Sequence, residues 1–505
     1  MYCTRRINDD YTWVGADGRR LAMFEGVFDV PAGISFNNYL LRDEKTVLFD
    51  TTDAAVRRTF RENLLHALEG RSLDYVVVHH MEPDHTAELE ELVLRFPEVQ
   101  IYCSAMAKTM MTQFFGPGFQ ERIHVVKEGD TLCTGRHTLR FIAAPMVHWP
   151  EVLMTYDETD RLLLTADAFG CFGALNGRLF ADEVDFDRDY LDETRRYYTN
   201  IVGKYGSQVQ TVLKKAAELD IAMLLPLHGF VWRKELGYLL HKYDLWSRYE
   251  PEERAVAVLY ASMYGDTENA VNLLAAGLAD SGVKNIAMHD ISSTHVSTLI
   301  SEVFRCSHLV LAAPTYNNGV YPAMATFLHD MKALGLQNRT VALVENGSWA
   351  PESGRLMRSL LSECKNMTVL PQTVQLRSAL QPDQADQVAA LAAAVLETMK
   401  PAPRVEHHGE AIETAALFKL SYGLFVLTAR ENGKDNGCII NTVTQLTENP
   451  MRFTIAVNKA NYTHDMILHT GVFNVSVLSD SVPFAVFQRF GFQSGRTADK
   501  FAGCT

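Results

Sequence analysis

Short apolar runs, without regular polar alternation, set the texture of the first half of the chain. Residues 36–41 and 46–50 read as strands, and Thr52 opens a helical stretch with Leu64, Leu65 and Leu68 on one face. The runs at 75–78, 138–143, 162–165 and 223–226 are apolar throughout, so each strand is expected to be buried on both faces, between helices. Between Trp246 and Glu253 the chain turns strongly polar, which marks a first domain boundary near residue 250. A strict alternation follows: strands at 255–260, 286–289, 309–313, 340–345 and 367–370, and helices at 267–278, 296–304, 323–334, 352–363 and 382–399. Such alternation predicts a doubly wound parallel sheet. Lys400-Pro-Ala-Pro-Arg404 is a proline-marked linker. Beyond it, strand texture returns at 423–429, 437–444, 453–457 and 472–477. Three domains are expected, at 1–250, 251–400 and 401–505.

Composition narrows the class. The chain has 505 residues, 47% of them hydrophobic and 21% charged, within the ordinary range for globular proteins. A net charge of −14 disfavours binding to nucleic acid or to an anionic membrane, and leaves room for a basic electron-donor partner. No apolar run is long enough for a membrane span, and no apolar segment follows the basic N-terminal residues. The eight cysteines contain no CxxC pair, which argues for a reducing compartment and against a cysteine-type zinc site. A cytoplasmic location is expected.

The densest chemistry sits at the end of run 75–78, in His79-His80-Met81-Glu82-Pro83-Asp84-His85. Four potential metal donors, His80, Glu82, Asp84 and His85, fall within six residues, and Pro83 stiffens the turn. Further donors follow later strand ends: His148, Asp167 and His228. Strands of one sheet can deliver terminal side chains to one point, so all seven could meet. His79 is out of phase with them and is expected in the core or behind the ligands.

A second constellation lies in the alternating domain. Ser262-Met263-Tyr264-Gly265-Asp266-Thr267 ends the first strand and opens a helix; hydroxyls, a glycine and free N–H groups there suit a phosphate. Pro314-Thr315-Tyr316-Asn317-Asn318-Gly319 follows the third strand, and Asn346-Gly347-Ser348-Trp349 the fourth. All leave strand C-terminal ends, where doubly wound sheets bind ligands. Asp266 beside a phosphate must turn outward.

The first 250 residues resemble the metallo-β-lactamase fold, an αββα sandwich, but Glu82 stands where that superfamily's H-x-H-x-D-H motif has its second histidine. The resulting H-x-E-x-D-H is similar to the signature of flavodiiron proteins. A third carboxylate hardens the site and favours iron over zinc. The resemblance implies one iron on His80, Glu82 and His148, a second on Asp84, His85 and His228, and Asp167 between them, with Tyr197 or Tyr198 approaching the pocket. The middle domain resembles flavodoxin. That likeness implies FMN held by Ser262, Met263, Tyr264, Gly265, Thr267, Pro314, Thr315, Tyr316, Asn317 and Gly319, with Asn346, Gly347, Ser348 and Trp349 at the ring. Segment 411–505 resembles the flavin reductase-like split β-barrel, carried by Gly437–Gln445, 458–464 and 471–475. It implies a second flavin, FMN or FAD, near Asn441, Thr442, Asn458, Lys459 and Thr463, reduced by NADH or NADPH. At about 100 residues, against a usual domain of about 150, this barrel is expected to be partial or completed by a partner subunit.

The family likeness implies reduction of dioxygen to water, or of nitric oxide to nitrous oxide. Electrons come from NAD(P)H or a rubredoxin-type donor, in a head-to-tail homodimer or a dimer of dimers. Dioxygen needs four electrons, two from a diferrous centre and two from reduced FMN; two nitric oxide molecules need only the iron pair. The alternatives are a zinc-dependent hydrolase, which gives FMN no task, and a non-catalytic flavin sensor or electron carrier.

Overall fold

The apolar runs of the first 250 residues form two facing sheets. In the computed structural model, which describes residues 2–118, 120–399, 423–448, 451–479 and 481–503, the first sheet has seven strands. Their order is Arg5–Arg6, Tyr11–Trp13, Tyr39–Arg42, Thr46–Phe49, Tyr75–Val77, Gln100–Cys103 and Ile123–Val125. The second has five: Thr131–Cys133, Thr138–Ala143, Leu153–Asp157, Leu162–Leu164 and Met223–Leu225. Successive side chains point to opposite faces, and this divides the core in two. Leu40, Leu48, Val76 and Val78 pack against an outer helix layer through Phe60, Leu64 and Leu68. Leu41, Val47, Phe49 and Val77 meet Leu139, Phe141 and Leu163 between the sheets. The layers are those of an αββα sandwich.

Two details differ from the sequence expectation. The helix begins at Arg57 rather than Thr52, and Leu65, one residue off the buried stripe, is exposed. The strand expected at 36–41 is interrupted at Asn37 and Asn38. Asn37 Nδ2 donates to the carbonyls of Pro226 and Gly229 at 2.9 and 2.8 Å, tying this break to the loop that carries His228. The polar stretch near 250 makes internal contacts of its own. The Glu252 side chain is buried and accepts from Arg195 Nε at 2.6 Å and from Lys242 Nζ, on the preceding helix, at 3.0 Å.

The alternating segment forms a parallel sheet in the order Ile286–Asp290, Glu253–Tyr260, Cys306–Tyr316, Thr340–Asn346, Thr368–Leu376. Numbered along the chain this is 2-1-3-4-5, the flavodoxin-like order. One face carries helices Asp266–Asp280 and Ala385–Met399, and the other Val296–Arg305, Pro322–Ala333 and Ser353–Leu361. Helix Val296–Arg305 packs on the 191–202 segment of the sandwich. There Arg196 Nη1 donates to Ser297 Oγ at 2.9 Å and Asn200 Nδ2 to the Ser297 carbonyl at 3.1 Å.

The chain divides into two units, residues 1–401 and 402–505. The proline-marked linker lies outside the described residues. In the second unit, Lys434–Ile440, Phe425–Glu431 and Asn474–Val477 form one antiparallel sheet, and Val443–Thr447 pairs with Arg452–Ile455. Helices Tyr462–Thr470 and Phe484–Gly491, absent from the sequence reading, complete its described part. No closed barrel is seen among the described residues. Nor is any described helix long and apolar enough to cross a membrane.

Candidate metal centre and flavin cavity

Strand ends of both sheets deliver seven donor side chains to one buried point. His80, Glu82, Asp84 and His85 follow Tyr75–Val77, His148 follows Thr138–Ala143, Asp167 follows Leu162–Leu164, and His228 follows Met223–Leu225. They form two groups, His80, Glu82, His148 and Asp167 on one side and Asp84, His85 and His228 on the other. Asp167 faces both. Its Oδ2 lies 3.0 Å from His148 Nε2 and 3.5 Å from His80 Nε2, and its Oδ1 lies 3.0 Å from His85 Nε2 and 3.7 Å from His228 Nε2. Glu82 Oε2 is 3.2 Å from both His80 and His148, while Asp84 Oδ2 is 3.3 Å from His85 and 3.2 Å from His228. Ligand atoms about 2.0–2.2 Å from a common ion sit about 3.0–3.5 Å from each other, so these separations suit one ion per group.

Unpartnered atoms make the same point. Both Asp84 oxygens, Asp167 Oδ1, His85 Nε2 and His228 Nε2 are buried without a hydrogen-bond partner. Leaving so many polar atoms unsatisfied costs several kcal/mol, about 1–3 for each, and a pair of cations removes that cost. The donor set of imidazoles and carboxylates, without thiolate, fits iron.

Without metal, protons take the cations' place. Burial opposes charge on His85, but Asp84 and Asp167 outweigh it and hold its pKa up to about 9. His148 is likewise held to about 9, with Asp167 and Glu82 overcoming burial. Burial would raise Glu82, yet His148 and His80 bring it down to about 2. For the two histidines the folded value exceeds the unfolded one of 6.5, so their stabilisation is full below 6.5 and lost as pH rises through 9. Chelated protein is therefore expected to melt at a lower temperature at pH ~9.5 than at pH ~6.5, and iron loading to remove that loss, as thermal scans would show.

Residues around the cluster divide by role. His79 is buried between the sheets, with Nδ1 2.5 Å from Asp50 Oδ2 and Nε2 2.8 Å from Thr155 Oγ1. The two tyrosines diverge. Tyr197 sits 5.6 Å from the His228 ring, in van der Waals reach of the Gly170 backbone, and its hydroxyl has no partner. Tyr198 instead packs against Tyr243 and Trp246, at 4.8 and 5.2 Å, because consecutive helical residues point about 100° apart. Two residues were missed from sequence. Trp149 stands edge-on to His80 at 5.1 Å, and Glu151 accepts from His80 Nδ1 at 2.7 Å. Their position beside His148 in sequence does not reveal the contacts with His80.

The second constellation surrounds a cavity of about 460 Å³ at the C-terminal ends of the parallel strands, within the range of small-molecule sites. Ser262, Met263, Tyr264, Thr267, Pro314, Thr315, Tyr316, Asn317, Asn346, Gly347, Ser348 and Trp349 all line it. Trp349 and Tyr264 are 88% and 93% exposed, leaving aromatic faces free for a flat ring. Gly265, at φ +97°, turns its loop through the left-handed region, whereas Asn317 and Asn318, at φ +50° and +58°, make the turn that Gly319 closes by pairing with Tyr316. Some polar groups expected to touch a ligand already have internal work. Ser262 Oγ accepts from the Gly265 amide at 3.0 Å, and Thr315 Oγ1 accepts from the amides of Glu352 and Ser353 at 2.8 and 3.0 Å. Asn346 Nδ2 donates to the Ser378 carbonyl at 2.9 Å.

Asp266, expected to turn outward, contributes to the cavity wall. Like charges near 4 Å repel by about 1 kcal/mol in water. Asp266→Asn is thus expected to tighten FMN roughly fivefold, read by quenching of flavin fluorescence during titration.

In the second unit, Asn441, Asn458 and Lys459 are exposed. Thr442 is tied to the Ala456 carbonyl at 2.7 Å, and Thr463 is buried, its hydroxyl accepting from Asn436 at 3.0 Å.

Two adjoining groups of metal-type donors on an αββα sandwich, joined to a flavodoxin-like sheet, define the class. Residues 34–229 match the family described as ODP family beta lactamase, and residues 417–505 match the flavin reductase like domain. The anaerobic nitric oxide reductase flavorubredoxin of Pectobacterium atrosepticum is 32% identical over 357 residues, 68% of each chain. That of Aeromonas hydrophila is 32% identical over 354 residues, 68% of this chain and 70% of its own. Among solved structures, rubredoxin oxygen:oxidoreductase from Desulfovibrio gigas overlays with a TM-score of 0.73 at 26% identity, covering 79% of this chain and 98% of that one. The flavodiiron protein from Giardia intestinalis, at 23% identity and a TM-score of 0.74, shares the fold over 79% of this chain and 99% of its own. The chain belongs to the flavodiiron protein family, and it is an oxidoreductase.

Proposed function

We propose that the protein reduces nitric oxide, dioxygen or both at a diiron centre supplied with electrons by FMN. One observation carries the reading: seven donors, six buried and Glu82 partly so, fall into two metal-sized groups that share Asp167. The relatives' names, a nitric oxide reductase and an oxygen oxidoreductase, support the two gases as substrates.

His80, Glu82 and His148 would hold one iron and Asp84, His85 and His228 the other, with one oxygen of Asp167 toward each. When bound, the irons supply reducing electrons and open coordination positions for the gas, and FMN supplies an electron pair. The chain's own residues do the rest. Ser35's carbonyl, 2.7 Å from His228 Nδ1, fixes that ring so that Nε2 faces the centre. Trp149 and Tyr197 narrow the space beside the ligands and limit entry of water, which favours a small uncharged substrate. The protein's net charge of −14 leaves such a substrate unsteered.

In the flavin cavity, Thr267 and the amides opening helix Asp266–Asp280 suit the phosphate, and Trp349 and Tyr316 suit the ring. The 251–400 segment acts as the FMN domain, and 401–505 as a module that takes hydride from NADH or NADPH onto a second flavin near Asn441, Thr442, Asn458 and Lys459. Asn441, Asn458 and Lys459 have the exposure such contacts require. A head-to-tail homodimer would set the FMN of one subunit beside the irons of the other. A zinc hydrolase of the same fold is disfavoured, since it leaves the flavin cavity without a task.

The reading is tested in a sealed electrode cell, with iron- and FMN-loaded protein, NADH, and each gas offered separately. Consumption of either gas that disappears with His80→Ala supports it. No consumption, even after dithionite reduction of the flavin, contradicts it.

A further inference from the structure

The two groups of ligands are backed differently. His80 Nδ1 lies 2.7 Å from Glu151 Oε1, which also accepts the Met81 backbone N–H at 2.9 Å. Glu151 is 2% exposed, and its second oxygen has no partner. A buried carboxylate with one idle oxygen is costly, and its remaining interactions concentrate on the His80 segment. The other group has no counterpart. His228 Nδ1 faces the neutral carbonyl of Ser35, and His85 Nδ1 is buried without a partner. Among the described residues, His80 is the one candidate ligand histidine whose far nitrogen rests on a carboxylate.

A charged acceptor draws the Nδ1 proton toward itself and leaves the ring closer to imidazolate, so Nε2 becomes a stronger donor. Stronger donation favours the more highly charged ion. We propose that Glu151 is a positioning residue that makes the centre electronically unequal, so that the half held by His80, Glu82 and His148 is oxidised first. It fixes the tautomer of His80, and it biases that half toward the ferric state while the Asp84–His85–His228 half stays ferrous. Loss of one electron from the fully ferrous pair then leaves the charge on a defined side. The inference rests on the diiron reading above.

Two measurements test it. Fully reduced crystals of the iron-loaded protein, treated with one equivalent of ferricyanide as the one-electron oxidant, are examined by site-resolved anomalous diffraction across the iron edge. The proposal predicts a higher-energy edge for the iron beside His80; equal edges, or the higher edge beside His85, overturn it. The second measurement is an EPR-monitored redox titration of Glu151→Gln, whose amide oxygen can still accept from Nδ1 without the charge. Two irons are expected to bind, and the potential at which the first electron leaves is expected to rise. Two bound irons with unchanged potentials overturn the proposal. If the variant fails to fold, the wild-type edge measurement decides alone. Wild-type protein that binds no iron would sink the diiron reading itself, an outcome distinct from two irons with equal edges.

Discussion

Asp167→Ala is expected to abolish gas reduction and to empty the metal centre together. Asp167 faces both groups, with an oxygen 3.0 Å from His148 and the other 3.0 Å from His85. Removing it leaves two fields of imidazole and carboxylate without the anion between them, and removes one negative charge from the balance that holds two divalent ions. Loss of an outer partner of a metal ligand already costs about ten- to a hundredfold in affinity or activity. Loss of a shared ligand is expected to exceed about a hundredfold, with metal analysis showing fewer than two irons per chain. The fold is expected to survive, because the sandwich core between the sheets does not depend on this carboxylate. Retention of both irons with near-normal turnover would remove Asp167 from the centre.

Gly347→Ala is expected to break the flavin site while leaving the irons in place. A methyl group at Gly347 would lie 2.7 Å from Pro351 Cα and 2.9 Å from Pro351 N. Both are backbone atoms, so the 347–351 loop must move, and it carries Trp349 at the cavity mouth. Overpacking of this kind costs about 1–3 kcal/mol. Charged against flavin binding, that weakens FMN by about five- to 150-fold. Fluorescence titration of flavin-stripped protein measures it, and iron content serves as the internal control. Unaltered FMN affinity would show that the loop takes no part.

The two predictions rest on features of different legibility. The metal candidates were readable because four donors crowd into residues 80–85 and the other three end apolar strands, so their chemistry is local in sequence. Glu151 was not readable. Its significance comes from meeting His80 across a separation of 71 residues, and no pattern around it signals that contact. The flavin loops were legible from their positions after parallel strands. The work of individual hydroxyls was not, since whether Thr315 faces a ligand or caps helix Ser353–Leu361 depends on how the next loop returns. Tyr197 and Tyr198 looked equivalent until the helix turned them apart. Nor could the pairing of Glu252 with Arg195 be read, because the two lie 57 residues apart. The short N-terminal strands such as Arg5–Arg6 and Tyr11–Trp13 carry too few residues for periodicity to register.

The most direct test of the whole account is a single-turnover reoxidation in stopped flow. Protein loaded with iron and FMN is reduced chemically, freed of excess reductant and mixed with dioxygen or nitric oxide. The account predicts that FMN reoxidises rapidly with dioxygen, without hydrogen peroxide, and that chelation of iron beforehand slows the step to that of free reduced flavin. Nitric oxide should yield nitrous oxide with the same dependence on iron. Equal flavin reoxidation with and without iron, accompanied by peroxide, would contradict the account and leave the chain a flavoprotein whose metal cluster takes no part in gas reduction.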